Sequence, residues 1–582
     1  MKKLISILAV SAMISISAGE SSIMKSSRYI DIMDKVLSAY TIEHIDRYYN
    51  DVYREGLTEQ GFCRLTANIG ILIANGKRQE LMTRFIKMMD LCCEEIPKHK
   101  YASNEFSVKE IIFCLLELEK HQTLPQKQID RWKASMKDVT VENCYQRYAE
   151  KPDSIVYNWA AFAMVSEWMR YYINAAPKDM TFIENQAASQ WQWIDENGMY
   201  KEPNQPIVYD LVTRGLFALI FHCGYRGEYF ERWDDALKRS GLCTLKMVSV
   251  TGEGAYGGRS NQFLHNEAHV ALVLEYEAAR YAKLGDMKKA SQFRGAVKKA
   301  LDNIELWLKQ EPIRHIKNSF PRESGYGCES YAYFDKYMIT TASFLYVAYL
   351  LSDDSIPAAE LDYRTGESWK SSDDFHKLFL RAGEYCIEYD YDAFVKYDVS
   401  GLGRLHRKNA PAAICISTPG PAKPSYVVNA KKVKAFSITP EILHNGKWLS
   451  STAGNVTHKV IKHSAEGETA SAQIDCRWQN GAEVKSFYFL DKNGLQITLE
   501  GNGGIALMLP AFSFDGTEKT EITNSGNILS IKYKNWVCRY KLDDGVIKKI
   551  SGMGYNRNGH YQLFRAMGKN RLKISVSITP AE

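Results

Sequence analysis

The feature that most constrains this chain is a change of hydrophobic period along its 582 residues. From Ser27 to about Phe394, apolar residues recur at helical spacing, in segments near 27–46, 78–95, 107–121, 155–174, 206–223, 262–284, 286–310 and 329–352. After about Arg404 the pattern becomes strict alternation. Leu495, Ile497 and Leu499 alternate with Gln496, Thr498 and Glu500, and Ile574, Val576 and Ile578 alternate with Lys573, Ser575 and Ser577. Alternation of this kind marks half-buried antiparallel strands, and turns such as Asn445-Gly446 separate them. The chain therefore reads as an α+β multidomain protein, with a helical domain over 20–400 followed by an antiparallel β-sandwich over 401–582 and a boundary near 395–410. The run Tyr337 to Leu351 is apolar almost all round, as expected of a helix covered on every side, so the helices should form two layers with this one inside.

The first 19 residues read as a cleavable secretory leader: Lys2 and Lys3, an apolar run from Leu4 to Ile16, then Ser17, Ala18 and Gly19. The run is short for a membrane span and no Cys follows it, so the expectation is a periplasmic or secreted protein without membrane insertion or lipid anchor. The 12 cysteines match no zinc spacing and sit mostly among apolar neighbours, as expected of buried thiols. The net charge of +6 includes the two leader lysines and is dispersed, which argues against nucleic-acid binding while leaving room for a local basic cleft. The 35 Tyr and 11 Trp are numerous enough to suggest aromatic faces on which sugar rings stack.

Two clusters carry chemistry. The first, Tyr256 to His269 (YGGRSNQFLHNEAH), is a glycine-rich loop running into a helix, with Arg259, Asn261, Gln262, His265, Asn266, Glu267 and His269 close together. A helix starting near Ser260 would set Asn261, His265 and His269 on one face. Glycines 252, 254, 257 and 258 would admit a ligand to the backbone, and the helix N-terminus would favour an anion. The second cluster, Asn318 to Tyr337, supplies Arg322, Glu323, Tyr326, Glu329, Tyr331, Tyr333 and Asp335 just before the inner helix. Asn158 and Trp159 open one helix, and Tyr209, Asp210 and Arg214 lie in another; these are candidate groove residues. His44, Arg47, Tyr48 and Tyr49 would close the groove from the N-terminal side, and Trp191 and Trp193 fit either groove or packing. Arg404, His406 and Arg407 form a basic patch where the sandwich begins.

In the order of its two halves the chain resembles the polysaccharide lyases that join an incomplete α/α toroid to an antiparallel β-sandwich, among them the heparinase, hyaluronate and alginate lyase groups. Within these it is most similar to the Bacteroidetes enzymes that remove rhamnose-capped glucuronate, the family 27 lyases. The resemblance implies β-elimination at a uronic acid of an acidic polysaccharide, with no cofactor and no metal. The C5 proton becomes removable once the neighbouring carboxylate is neutralised; a base then takes it and an acid protonates the departing O4. Carried over by position, Asn261 would neutralise with Arg259 or Glu329 beside it. His265 would be base or orienter, and Tyr326 or Tyr331 the acid/base. Gln262, His269, Asn158, Tyr209, Arg214, His406 and Arg407 would bind substrate, with His406 also an outside candidate for a second base. Two rivals stand beside this reading. A toroidal glycoside hydrolase, such as those acting on unsaturated glucuronyl units, would need two carboxylates, for which Asp210, Glu267, Glu329 and Asp335 are the candidates. A non-catalytic glycan-binding protein would account for the aromatics alone. Bound metal at His265 and His269 is disfavoured because LHNEAH lacks the His-Glu-x-x-His order.

Overall fold

The computed structural model describes residues 24–150, 157–177, 180–204 and 206–582; the leader lies outside them. The helical half is a two-layer ring. Six inner helices, Gly61–Ala74, Asn104–Lys120, Asn158–Tyr172, Ile207–His222, His265–Lys283 and Phe334–Leu351, each touch the next, and the last returns to the first. Outer helices including Met82–Glu95, Gln126–Ser135, Thr181–Trp191, Phe230–Met247 and Met287–Trp307 alternate with them along the chain. That alternation makes the inner helices parallel, so their six N-termini share one mouth. The half is thus an α/α toroid, with Phe334–Leu351 an inner helix as its all-round apolar sequence demands.

Two differences from the sequence expectation have simple causes. The inner helix Gly61–Ala74 is buried at every residue and therefore has no amphipathic stripe to read. The segment 27–46 divides, because Thr41 accepts a hydrogen bond from the His44 amide and caps a new helix, Ile42–Glu55.

The sandwich follows. An eight-stranded antiparallel sheet faces a layer made of a four-stranded and a five-stranded sheet. The two smaller sheets are linked where Leu402 bridges Ile438 and Thr439 accepts from the Met508 amide. The alternating strands pair as patterned, with Leu495 opposite Val576 and Ile497 opposite Ile574, all four buried. Asn445 and Gly446 both have positive φ, the geometry of a two-residue hairpin turn. The four-stranded sheet begins at Glu367, inside the stretch read as helical, because Glu367–Lys370, Lys377–Ala382 and Tyr385–Asp390 are short and carry charged residues on the face toward the toroid. All 12 cysteines are free, and only Cys223 is more than slightly accessible. Among the described residues no helix is long and apolar enough to cross a membrane.

Candidate active site at the mouth of the helical ring

The parallel inner helices bring their first turns, and the positive ends of their dipoles, to one opening, a setting that favours an anionic ligand. The segment leading into the His265 helix forms one wall. Ser260 and Gln262 both lie in the left-handed region, φ 57° and 66°, where non-glycine residues are disfavoured and must be held by their surroundings. They are held. The Ser260 amide donates to Glu329 Oε1 at 2.8 Å, and Glu329 receives both arms of Arg557 at 2.6 and 2.9 Å. The Ser260 hydroxyl lies 3.0 Å from both the Tyr331 and the Tyr209 hydroxyls. Asn558 donates to Gln262 Oε1 at 3.0 Å. Arg557 and Asn558 come from the turn between strands Val546–Tyr555 and His560–Gly568, so the sandwich completes the wall of the toroid.

Between the two strained residues stands Asn261, 3% exposed, whose Oδ1 accepts from Gln262 at 3.3 Å. Its Nδ2 donates to no side chain or carbonyl among the described residues. The helix begins at His265 rather than Ser260, so Asn261 lies on the loop and does not share a helical stripe with His265 and His269. His265 is stacked on Phe263 and meets the Tyr337 ring edge-on at 5.3 Å; Tyr337 in turn lies 6.0 Å from Tyr331. Burial pushes the His265 imidazole down to about 3, helped by Arg64 nearby. Its Nδ1 is enclosed without a partner. Burial, with Tyr209 and Glu329 beside it, pushes the Tyr331 phenol up, although the side chain remains 36% exposed. An imidazole held neutral and a phenol held protonated thus share this opening.

On one flank the Arg259 guanidinium covers the Tyr209 ring at 4.3 Å and pairs with Glu202, which also accepts from Asn158 Nδ2 at 2.6 Å. Trp159 lies beneath Arg147 and against Phe106, and Trp193 beside Tyr157. On the other flank His44, Arg47, Tyr48, Tyr333 and Asp335 line a groove of about 360 Å³, with His44 3.1 Å from Asp335. Tyr49 instead stacks on Tyr53, and Trp191 meets Trp233 edge-on.

Several candidate residues go elsewhere. Tyr326 is sealed against Phe320, its hydroxyl donating to the Gly559 carbonyl at 3.0 Å. Arg214 is fully buried on Asp210 (2.6 Å) and Thr244. His269 is enclosed one turn deeper against Phe344, both nitrogens without partners. His406 is buried between Ser249 (2.7 Å) and Ser417 (3.1 Å). Arg407 belongs to the sandwich, over the rings of Tyr385 and Trp536. Arg404 lies between the two halves, bound to Glu388 at 3.1 Å and the Gly254 carbonyl at 2.8 Å. The glycine loop is packed against the helical half rather than open to a ligand: a Cβ on Gly252 would stand 2.1 Å from the Lys299 carbonyl, and one on Gly258 2.6 Å from Pro206. Asp210, Glu267, Glu329 and Asp335, the carboxylates considered for hydrolysis, are each paired with a cation or imidazole, and Glu267 keeps Oε2 enclosed without a partner.

Sequence reasoning missed Ser260 and Tyr337, although both lie inside the two clusters, and it missed Glu202, Arg557 and Asn558. Only the Asn558-Gly559 turn carried a local signal, and that signal is for a hairpin.

No sequence-family model matches the chain, and no curated protein matches it. Among solved structures it is similar to heparinase III, at 10% identity over 82% of this chain and 77% of that one, TM-score 0.38. It is also similar to the Streptomyces coelicolor A3 chondroitin AC lyase solved with chondroitin sulphate, at 10% identity over 95% and 79%, TM-score 0.49. A structure titled glycoside hydrolase is similar at 8% identity over 97% and 96%, TM-score 0.36. Likeness at this level leaves the functional reading to the site itself.

Proposed function

We propose that this protein is a polysaccharide lyase that cleaves next to a uronic acid by β-elimination. The observation that carries the reading is the convergence at one mouth of a neutral imidazole, His265, and a protonated phenol, Tyr331, beside the uncommitted amide of Asn261. Burial keeps the imidazole in its neutral, proton-accepting form and the phenol in its protonated, proton-donating form, the forms from which an elimination starts.

In this reading the uronate carboxylate accepts from Asn261 Nδ2, with the cation of Arg259, held by Glu202, on the flank of the mouth. Charge developing toward the aci-carboxylate strengthens those bonds, which is where they accelerate the reaction. The His265 imidazole, with Nε2 the nitrogen left for substrate, takes the C5 proton; the anionic sugar beside it raises its basicity at that moment. The C5–H electrons form the C4=C5 bond, the C4–O4 bond breaks, and the Tyr331 hydroxyl protonates O4. The proton on His265 then returns to the Tyr331 phenolate, restoring both groups. Hydrolysis is disfavoured because Asp210 and Glu329 are each held in a buried two-armed pair with an arginine, which leaves neither ready to protonate a leaving oxygen.

The proposal includes export by the leader over 1–19 to the periplasm or beyond the cell. The first uronate to test is glucuronate, including rhamnose-capped glucuronate of arabinogalactan. The test is ultraviolet absorbance of the leaderless protein against glucuronate-bearing arabinogalactan, heparin, chondroitin and alginate. Rising absorbance from an unsaturated uronate is expected on at least one. New reducing ends without that absorbance would overturn the reading in favour of hydrolysis.

A further inference from the structure

A second cleft, with no residue in common with the mouth, has the chemistry of a sugar site. It measures about 590 Å³ and lies between the C-terminal half of the outer helix Met287–Trp307 and the sandwich hairpin that joins Ile528–Tyr533 to Trp536–Leu542. Its volume falls in the range of small-ligand sites, roughly 300–1,000 Å³. Val250, Thr251 and the segment 410–413 complete the lining.

Three kinds of group meet there. Trp307 and Trp536 are both half-buried, and Arg407 lies 5.5 Å from the Trp536 ring centroid and steadies it. Indole rings in such a cleft offer apolar faces to a pyranose. Lys299, Lys309 and Lys534 have no ion-pair partner among the described residues, while the acidic groups beside them are already engaged: Asp302 and Glu305 hold Arg28 at 2.7 and 2.9 Å. The charge left to answer is therefore positive. Asn303 donates its Nδ2 to the Thr251 carbonyl at 3.2 Å, but its Oδ1 is enclosed with no partner. An enclosed acceptor is costly unless a donor such as a sugar hydroxyl reaches it.

We infer that this cleft is an accessory binding site for an acidic oligosaccharide, its rings on Trp307 and Trp536, its carboxylates or sulfates on Lys299, Lys309 and Lys534, and a hydroxyl on Asn303. The loop that contributes Val250 and Thr251 continues to Ser260 and Asn261, so a polymer held here is held by the same loop that forms the mouth. The inference rests on the lyase reading only for the expectation that one acidic glycan occupies both places.

The test is calorimetric titration of the full Tyr331→Phe chain with a chondroitin tetrasaccharide and a galacturonate tetrasaccharide, with neutral maltotetraose as control. Two binding events are expected for at least one acidic sugar. The pair Lys299→Gln with Lys534→Gln, at one half-buried and one exposed side chain and with unchanged thermal unfolding, should weaken one event at least tenfold, and Trp536→Ala should weaken the same event. The inference is overturned if both variants bind acidic sugars as the parent does, if no second event occurs, or if maltotetraose binds this cleft equally well. Its failure is separable from that of the lyase reading: a lysine-dependent event without unsaturated product keeps the cleft and retires the lyase, and product without that event does the reverse.

Discussion

The mouth of the ring and the seam between toroid and sandwich are built from the same loop, 249–264, and from the same residue types, yet they are in opposite states. At the seam every charge is answered. Arg404 meets Glu388 and Glu253, Lys317 meets Glu253 and Glu267, Lys377 meets Asp390 and Glu388, and the Gly258 amide meets Asp398. At the mouth Asn261 keeps a donor uncommitted, His265 is neutral with Nδ1 unpartnered, and Tyr331 is partly exposed. A cluster of polar residues in a sequence is thus equally able to be glue or chemistry, and saturation by partners separates the two.

The comparison breaks most sharply under paired substitutions. Tyr331→Phe should lower kcat by ~10²–10⁴-fold, the usual contribution of a positioned acid or base, with little change in thermal unfolding. Steady-state kinetics by absorbance, with melting as the control, checks both halves; full activity in this variant would remove Tyr331 from the chemistry. Arg404→Ala should do the reverse. Removing one partner of a buried pair leaves Glu388 and Glu253 uncompensated and costs about 3–5 kcal/mol, read by denaturant unfolding. Loss of turnover in any folded fraction, with stability unchanged, would mean the seam is part of the site after all.

Acid should next test the burial that the two regions share. Burial pushes His265, His315 and His406 from 6.5 down to about 3. The unfolded chain takes up these protons below pH 6.5 while the folded chain does not, so their contribution is complete above pH 6.5 and is lost as pH falls toward 3. At pH 5 the loss is about 2 kcal/mol for each imidazole. Glu253, which burial alone would raise, is held down to about 2 because the Lys317 and Arg404 cations outweigh that burial, and it adds a further loss only below its ordinary 4.5. Urea midpoints at pH 7 and pH 5 measure the first, and His406→Gln should flatten the slope. A midpoint independent of pH would mean that these imidazoles are not buried as described.

How much of this was legible follows from range in sequence. The two periods are local, so the helical half and the strands with clean alternation, such as Leu495 to Leu499, could be read directly, whereas the closing of the helices into a toroid was only implied by the resemblance to the toroid-and-sandwich lyases. The mouth was half legible because Arg259, Asn261, Gln262 and His265 are neighbours on one loop and Glu329 and Tyr331 on another. Arg557 and Asn558 were not, since they reach Glu329 and Gln262 across 228 and 296 residues. His406 and Arg407 looked like a basic patch because the sequence gives no sign of Ser249 and Ser417 on one or of Tyr385 and Trp536 on the other. The helix Gly61–Ala74 escaped for the opposite reason: burial on all sides erases periodicity.

The smallest predicted effect probes an ambiguity the sequence could not resolve, which of two tyrosines five residues apart faces substrate. Tyr326 and Tyr331 arise from the same turn-rich segment, but the first donates to the Gly559 carbonyl inside a cluster with Phe320 and His560, while the second meets Ser260 at the opening. Tyr326→Phe deletes one buried hydrogen bond and keeps the ring, so it should cost about 0.5–1.5 kcal/mol in unfolding and leave kcat within twofold. Because Gly559 belongs to the turn that presents Arg557 and Asn558, a somewhat larger KM is compatible with this role. A fall in kcat comparable with that of Tyr331→Phe, at unchanged stability, would instead exchange the roles of the two tyrosines and move the acid from the mouth to the seam.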